Sequence, residues 1–229
     1  MTGILQNRRW TVSAGTAAAI ATVAMVTLAA CSGGLRSDTP ATQVYVLRAA
    51  THPLSEQTHA DASLHVGRPI AAPGLASDHI LLVQSDHRMS YYVASRWAAD
   101  LPAVVEALAA DTLRSSGAWS TVQTSASAFS SDYLLQIEIR RFEADYSVSA
   151  TAPEVHVVLD CTVGRRAGRE VIDSFLAEGA ATASANRLGD VVSAFEAASN
   201  KALEQIAART AHAVKAAQKV ETPVPSMTR

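Results

Sequence analysis

Two tripeptides carrying the groups of a nucleophilic relay stand eight residues apart, Ser77-Asp78-His79 and Ser85-Asp86-His87. Ser, His and Asp are the members of a hydrolase triad, and two His with two Asp could also chelate a metal. The spacing argues against both. Neighbours on an extended chain point to opposite faces, so a contiguous run cannot align itself as a relay. The simpler reading is that each tripeptide flanks a strand, where Asp and Ser favour turns. Cys161 falls among Val157, Leu159 and Val163 on the apolar side of an alternating segment. That is the setting of a small buried hydrophobe, and no base stands near it in sequence to make it a nucleophile. The sequence has no G-x-x-x-x-G-K-[ST] loop for ATP, no G-x-G-x-x-G after a strand and no G-x-S-x-G elbow. It has no C-x-x-C or H-x-x-x-H pair for zinc. No catalytic residue, metal ligand or cofactor is assigned, and the chain is read as a non-enzyme.

The other cysteine, Cys31, is the informative one. Residues 1–13 carry Arg8 and Arg9 and no acid, Ala14–Ala30 is apolar or small throughout, and Leu28-Ala29-Ala30-Cys31 closes the run. A basic region, an apolar stretch and small residues before a cut describe a secretory signal, here residues 1–30. The uncharged run from Thr11 to Gly34 is long enough to cross a bilayer, which takes ~20 residues, but 17 of its 24 residues are Ala, Thr, Ser or Gly. The Leu-Ala-Ala-Cys run resembles the lipobox of bacterial lipoproteins. That resemblance implies a diacylglycerol thioether on Cys31, cleavage before it, and an acyl chain (palmitate or similar) on the new amine. Two or more chains hold a protein stably on a membrane without spanning it. Ser32, by resemblance to enterobacterial lipoproteins, permits export to the outer membrane, where Asp would retain the protein at the inner one. Asn7-Arg8-Arg9-Trp10 faintly resembles a twin-arginine signal.

The elements that must carry any site follow from composition and period. The chain has 229 residues, 48% hydrophobic and 17% charged, which excludes wholesale disorder. Forty-five residues are Ala and only 5% are aromatic, so the core is aliphatic. Nineteen Lys and Arg against twenty-one Asp and Glu give −2; without Arg8 and Arg9 the processed chain from Cys31 carries 17 against 21, or −4. With no basic block, nucleic acid is excluded as the main partner. Residues 31–43 read as a lipidated cysteine and flexible tether rich in Ser, Gly, Thr and Pro. A domain is expected over 44–217 and a fraying tail over 218–229.

Within the domain, Val44–Leu47 reads as a short strand, and 48–78 mostly as loop with a short strand near Pro69-Ile70-Ala71. His79–Gln84 and Met89–Val93 form a hairpin. Arg96–Gly117 reads as a helix whose Leu101, Val104, Val105, Leu108 and Thr112 share a face. Ser130–Asp145 and Val155–Val163 alternate apolar with polar residues, the pattern of a sheet with one wet face. Gly164–Gly168 turns the chain into a returning strand over Glu170–Gly179. Leu188–Val214 is the longest helix, with an apolar stripe through Val191, Val192, Phe195, Ala198, Ala202 and Ile206. The fold class is α+β, a mostly antiparallel sheet with two amphipathic helices packed on one face.

Tyr91, Tyr92 and Trp97 form the main aromatic cluster. They read either as a partner-docking patch or as core anchoring the hairpin to the first helix. The order of segments resembles a known family. A lipobox is followed by Tyr45-Val46-Leu47, then Met89-Ser90-Tyr91-Tyr92 runs into Arg96-Trp97-Ala98-Ala99-Asp100-Leu101-Pro102, and Tyr133–Phe142 makes a long strand before a strand pair and a terminal helix. Over roughly 42–215 this is similar to the ABC-type transport auxiliary lipoprotein family, which includes paraquat-inducible protein C. It departs in a more polar and longer stretch over Thr51–Ala62 and in the Ala99-Asp100-Leu101-Pro102 spelling after the Trp.

The resemblance implies a non-enzymatic accessory of an ABC system built around a mammalian-cell-entry (MCE) protein, moving lipids or other apolar molecules between inner and outer membranes. Its implied partners are the MCE-domain substrate-binding protein, the permease and ATPase, the membrane through its lipid anchor, and further copies of itself. The implied location is the outer membrane facing the periplasm, with the inner membrane as the other choice. A cell-envelope scaffold, binding peptidoglycan or an assembly machine, is the competing reading, and a periplasmic hydrolase using the Ser-Asp-His runs is the third.

Overall fold

A computed structural model of the chain describes residues 41–51, 54, 59–147, 149 and 151–221. The signal segment, Cys31 and most of the tether lie outside the described residues, as do residues 222–229. The described residues from Thr42 onward form one compact unit. Its elements are β1 (Gln43–Tyr45), β2 (Ala60–Val66), β3 (Ile70–Ala71), β4 (His79–Val83), β5 (Met89–Trp97), α1 (Leu101–Ser115), β6 (Trp119–Gln123), β7 (Tyr133–Asp145), β8 (Glu154–Arg165), β9 (Glu170–Thr182) and α2 (Leu188–Glu221). Among the described residues the fold is α+β: one open nine-stranded sheet with two α-helices.

The sheet is organised by β7. One of its sides pairs along its whole length, antiparallel, with β8, which pairs in turn with β9. Its other contacts are short parallel ladders: Leu64↔Tyr133 to Val66↔Leu135 on β2, Ile70↔Glu138 on β3, and Leu82↔Ala144 on β4. β6 extends β2 in parallel, β5 pairs antiparallel with β4, and β1 adds to β5 in parallel. The longest ladders are therefore antiparallel, while short parallel ones join β7 to the first half of the chain.

Two irregularities decide which side chains face inward. Leu135, Ile137 and Ile139 are buried, then Arg140 and Arg141 are both exposed, then Phe142 and Ala144 are buried. The ladder with β8 slips between Ile139 and Arg141. This is a bulge, which places an extra residue on one strand and resets the alternation. The second lies in β5, where Ala94 holds a φ of 51°. Exposed positions before it are Met89, Tyr91 and Val93, and buried ones after it are Ser95 and Trp97.

α2 covers the face that buries Leu135, Ile137, Val155, Val157, Leu159, Cys161, Phe175 and Ala177, while α1 packs on β2, β3, β6 and α2. The other face presents Gln136, Glu138, Arg140, Asp160 and Thr162, as the alternation predicts. α1 begins later than expected. Arg96 and Trp97 belong to β5, and Pro102 occupies the first turn, where its missing N–H costs nothing. Ser116 caps its end, and Gly117, at φ 68°, supplies the left-handed residue beyond. α2 has 34 residues, so it is about 50 Å long. It runs past Val214 to Glu221, through Lys215, Ala216, Ala217 and Gln218, all strong helix formers.

Candidate functional site

The first hydrolase tripeptide is structural. The Ser77 carbonyl accepts the Leu101 N–H at 2.9 Å, starting α1, and the Asp78 carbonyl accepts the Trp97 N–H at 2.7 Å. The Asp78 carboxylate faces Arg96 at 3.2 Å and the His79 ring at 3.8 Å. Half-exposed His79 packs at a tilt against Tyr91, ring centres 4.5 Å apart. The second tripeptide forms the β4–β5 turn, where His87 has φ 64° and Asp86 accepts from the Arg88 Nε at 2.6 Å. The two runs thus sit at opposite ends of β4, and neither brings its own serine and histidine side chains together. Among the described residues no three His, Cys, Asp or Glu side chains gather as a metal site. Cys161 is fully buried, its Sγ directed at the Leu159 carbonyl at 3.8 Å.

The aromatic cluster is divided by the irregularity at Ala94. Trp97 is 1% exposed and belongs to the core, its ring edge-on to Phe142 and Phe195 at 6.1 and 5.2 Å. Tyr92 is half-buried, and its hydroxyl shares a hydrogen bond with that of Tyr146 at 2.8 Å, which donates to Asn186 at 2.7 Å. Burial, with the Tyr146 hydroxyl next, pushes the Tyr92 phenol above its ordinary range. Tyr91 alone is at the surface, 53% exposed. Of the residues offered as a docking patch, one is core, one is a polar strut and one is free to meet a partner.

What surrounds Tyr91 is the more informative feature. Met89, Tyr91 and Val93 follow one another on one face of β5, and Val93 is 87% exposed. Val44 and Val46 are exposed on the adjoining edge strand and just beyond it. Isolated exposed apolar residues are ordinary, and these five lie on or just beyond two strands that pair at Ser95–Trp97. A cavity of about 820 Å³ opens beside the same edge, between Tyr45–Ala49 and the Ala99, Ala103, Val104 and Ala107 side of α1. The small alanines keep it open. β1 itself is three residues long and continues directly from the tether.

Comparison with known proteins bears on this architecture. A family model described as ABC-type transport auxiliary lipoprotein component matches residues 45–207. Among solved structures, the fold is similar to that of protein XCC0632 from Xanthomonas campestris, assigned to the DUF330 family model (TM-score 0.71, 22% identity, covering 77% of this chain and 99% of that one). It is also similar to an uncharacterized protein (0.57, 15%, 73% and 97%) and to hypothetical protein CT253 from Chlamydia trachomatis (0.51, 11%, 69% and 99%). At these identities the likeness is one of fold. No curated protein matches.

Proposed function

From the membership of this chain in the ABC-type transport auxiliary lipoprotein family, we propose that it is the tethered, non-enzymatic accessory subunit of an MCE-type ABC system moving lipids or other apolar molecules between membranes. The observation that carries the reading is the coincidence of a lipobox ending at Cys31 with a family match over 45–207, nearly the whole described domain. In this reading the processed protein hangs from the outer membrane by a lipidated Cys31 and faces the periplasm. ATP hydrolysis and membrane passage belong to the permease and ATPase. The sequence's lack of a phosphate-binding loop and the absence, among the described residues, of a helix long and apolar enough to cross a membrane are compatible with that division of labour.

The apolar row on β5 is the surface we assign to the MCE-domain partner. It is carried on rigid strands rather than a loop, and its tyrosine is of a type enriched where proteins meet. The anchor is tested by Cys31→Ala, which should leave the protein unprocessed or mislocalised, with no acyl chain on it. A Cys31→Ala protein that still fractionates as a processed, detergent-requiring lipoprotein would contradict the lipobox assignment.

A further inference from the structure

We infer that the cleft at the β8–β9 turn is a binding site for an anionic amphiphile, a phosphate-type headgroup with an apolar stem. The turn reads Gly164-Arg165-Arg166-Ala167-Gly168-Arg169, and its three arginines line a cavity of about 580 Å³ on the bare face of the sheet. Arg165 is matched to Glu170 at 3.5 Å. Arg166 and Arg169 are exposed and have no carboxylate within ion-pair distance among the described residues. This sets them apart from Arg68, Arg88, Arg96, Arg114, Arg140, Arg141, Arg187 and Arg209, each of which faces a carboxylate. In a chain of net charge −2, the cleft is a local excess of two positive charges, three Arg against Glu170.

The turn puts two successive residues in the left-handed region, as tight hairpin turns do. Arg169 has φ 54° directly after Gly168 at φ 78°. A long non-glycine side chain in the left-handed region is strained, and such strain collects at binding sites. Guanidinium presents a planar fork that fits phosphate and carboxylate oxygens two at a time. Beside the fork the wall turns apolar. Leu134 is half-buried and Val171 is 62% exposed, and both line the cavity with Gly164, which has no side chain to fill it. The site's field reaches its neighbours: burial first, and then the Arg166 charge, hold His65 below the ordinary imidazole range. Charge alone would suit any anion. Charge beside an exposed valine and a half-buried leucine suits one with an apolar stem, because the stem's contact with water is lost on binding. The site lies at the far end of β9 from Thr182, is distinct from the β1–β5 surface, and does not depend on which transporter the protein serves.

Calorimetric titration of the full-length processed protein in a nonionic detergent tests this, with dihexanoyl phosphatidylglycerol and, separately, inorganic phosphate as probes. Saturable binding of the phosphatidylglycerol is expected, with inorganic phosphate weaker by about tenfold or more because it lacks the stem. The variant Arg166→Gln/Arg169→Gly keeps a residue that tolerates the left-handed turn. It should weaken lipid binding by about tenfold or more while its thermal midpoint stays at the wild-type value. Val171→Ser should weaken the lipid but not phosphate. No saturable lipid binding by the wild-type protein, lipid affinity unchanged in the double variant, or phosphate bound as tightly as the lipid would each overturn the assignment.

Discussion

Phe195 has no exposed surface and stacks on Phe142 with ring centres 5.2 Å apart, while Trp97 stands edge-on to both. In a chain with 5% aromatics this trio is a large share of the oriented ring contacts, and such pairs add to the area they bury. Phe195→Ala should cost about 3–5 kcal/mol in urea melts; a loss under ~1 kcal/mol would mean that the cluster collapses around the gap. Cys161 gives the matching chemical test. Burial, then the nearby Asp160 charge, push its thiol up to about 12 from 9.0, partly offset by Arg209. The native state thus keeps its proton where the unfolded chain loses it. The thiol's contribution to stability is intact below about pH 9 and declines as pH rises toward about 12. At mildly alkaline pH, iodoacetamide should label it slowly in the native protein and rapidly in denaturant. Equal rates would place it in an accessible site.

Between elements, α2 approaches β9 closely. A Cβ built on Gly179 would lie 1.9 Å from the Ala198 carbonyl oxygen and 3.2 Å from the Ala202 nitrogen. Backbone cannot rotate away as a side chain can, so Gly179→Ala must push the helix off the sheet. We expect a loss of about 1–3 kcal/mol or more in denaturant melts; a change within ~0.5 kcal/mol would show that the contact is looser. The same strand carries an open edge, since among the described residues β9 pairs only with β8. Part of it is covered from the helix: Gln205 accepts the Glu178 N–H and donates to its carbonyl, and Lys201 donates to the Ala180 carbonyl at 2.7 Å. Side chains that mimic a strand discourage edge-to-edge pairing.

The hairpin, the long alternating strands and both helices were legible because each shows a clean period over many residues. β2 was not, although Ala60, Ala62, Leu64 and Val66 alternate inward. Alanine has little strand preference and hides the pattern. β6 is only five residues long, and just Trp119 of them is fully buried. The parallel ladders on β7 join segments distant in sequence and leave no local mark. At the site, the tripeptides could be dismissed from spacing alone. The fate of Tyr91, Tyr92 and Trp97 could not, because it turns on a single left-handed residue, Ala94. The Gly164–Gly168 turn is legible in the sequence, and Arg165 and Arg166 lie within it. Only the fold sets Arg169, Leu134 and Val171 beside them.

For the whole molecule, the tether is the governing dimension. From Ser32 to Gln43 it spans a dozen residues, and at ~3.3–3.6 Å each they reach a few tens of Å when fully extended. The domain therefore works close to whichever membrane holds Cys31. It presents two surfaces of different chemistry, the apolar row on β5 and the arginine cleft at the far turn. The transport reading and the scaffold reading share the anchor and the fold, and they differ in which proteins dock. The deciding measurement is purification of the lipidated protein from native membranes in mild detergent, wild type beside Tyr91→Ser/Val93→Asp, with the accompanying proteins identified. The account predicts an MCE-domain protein and its permease with the wild type, and their loss with the variant at unchanged thermal midpoint. Cell-wall synthases or assembly factors in their place, with no MCE-domain protein among them, would contradict it.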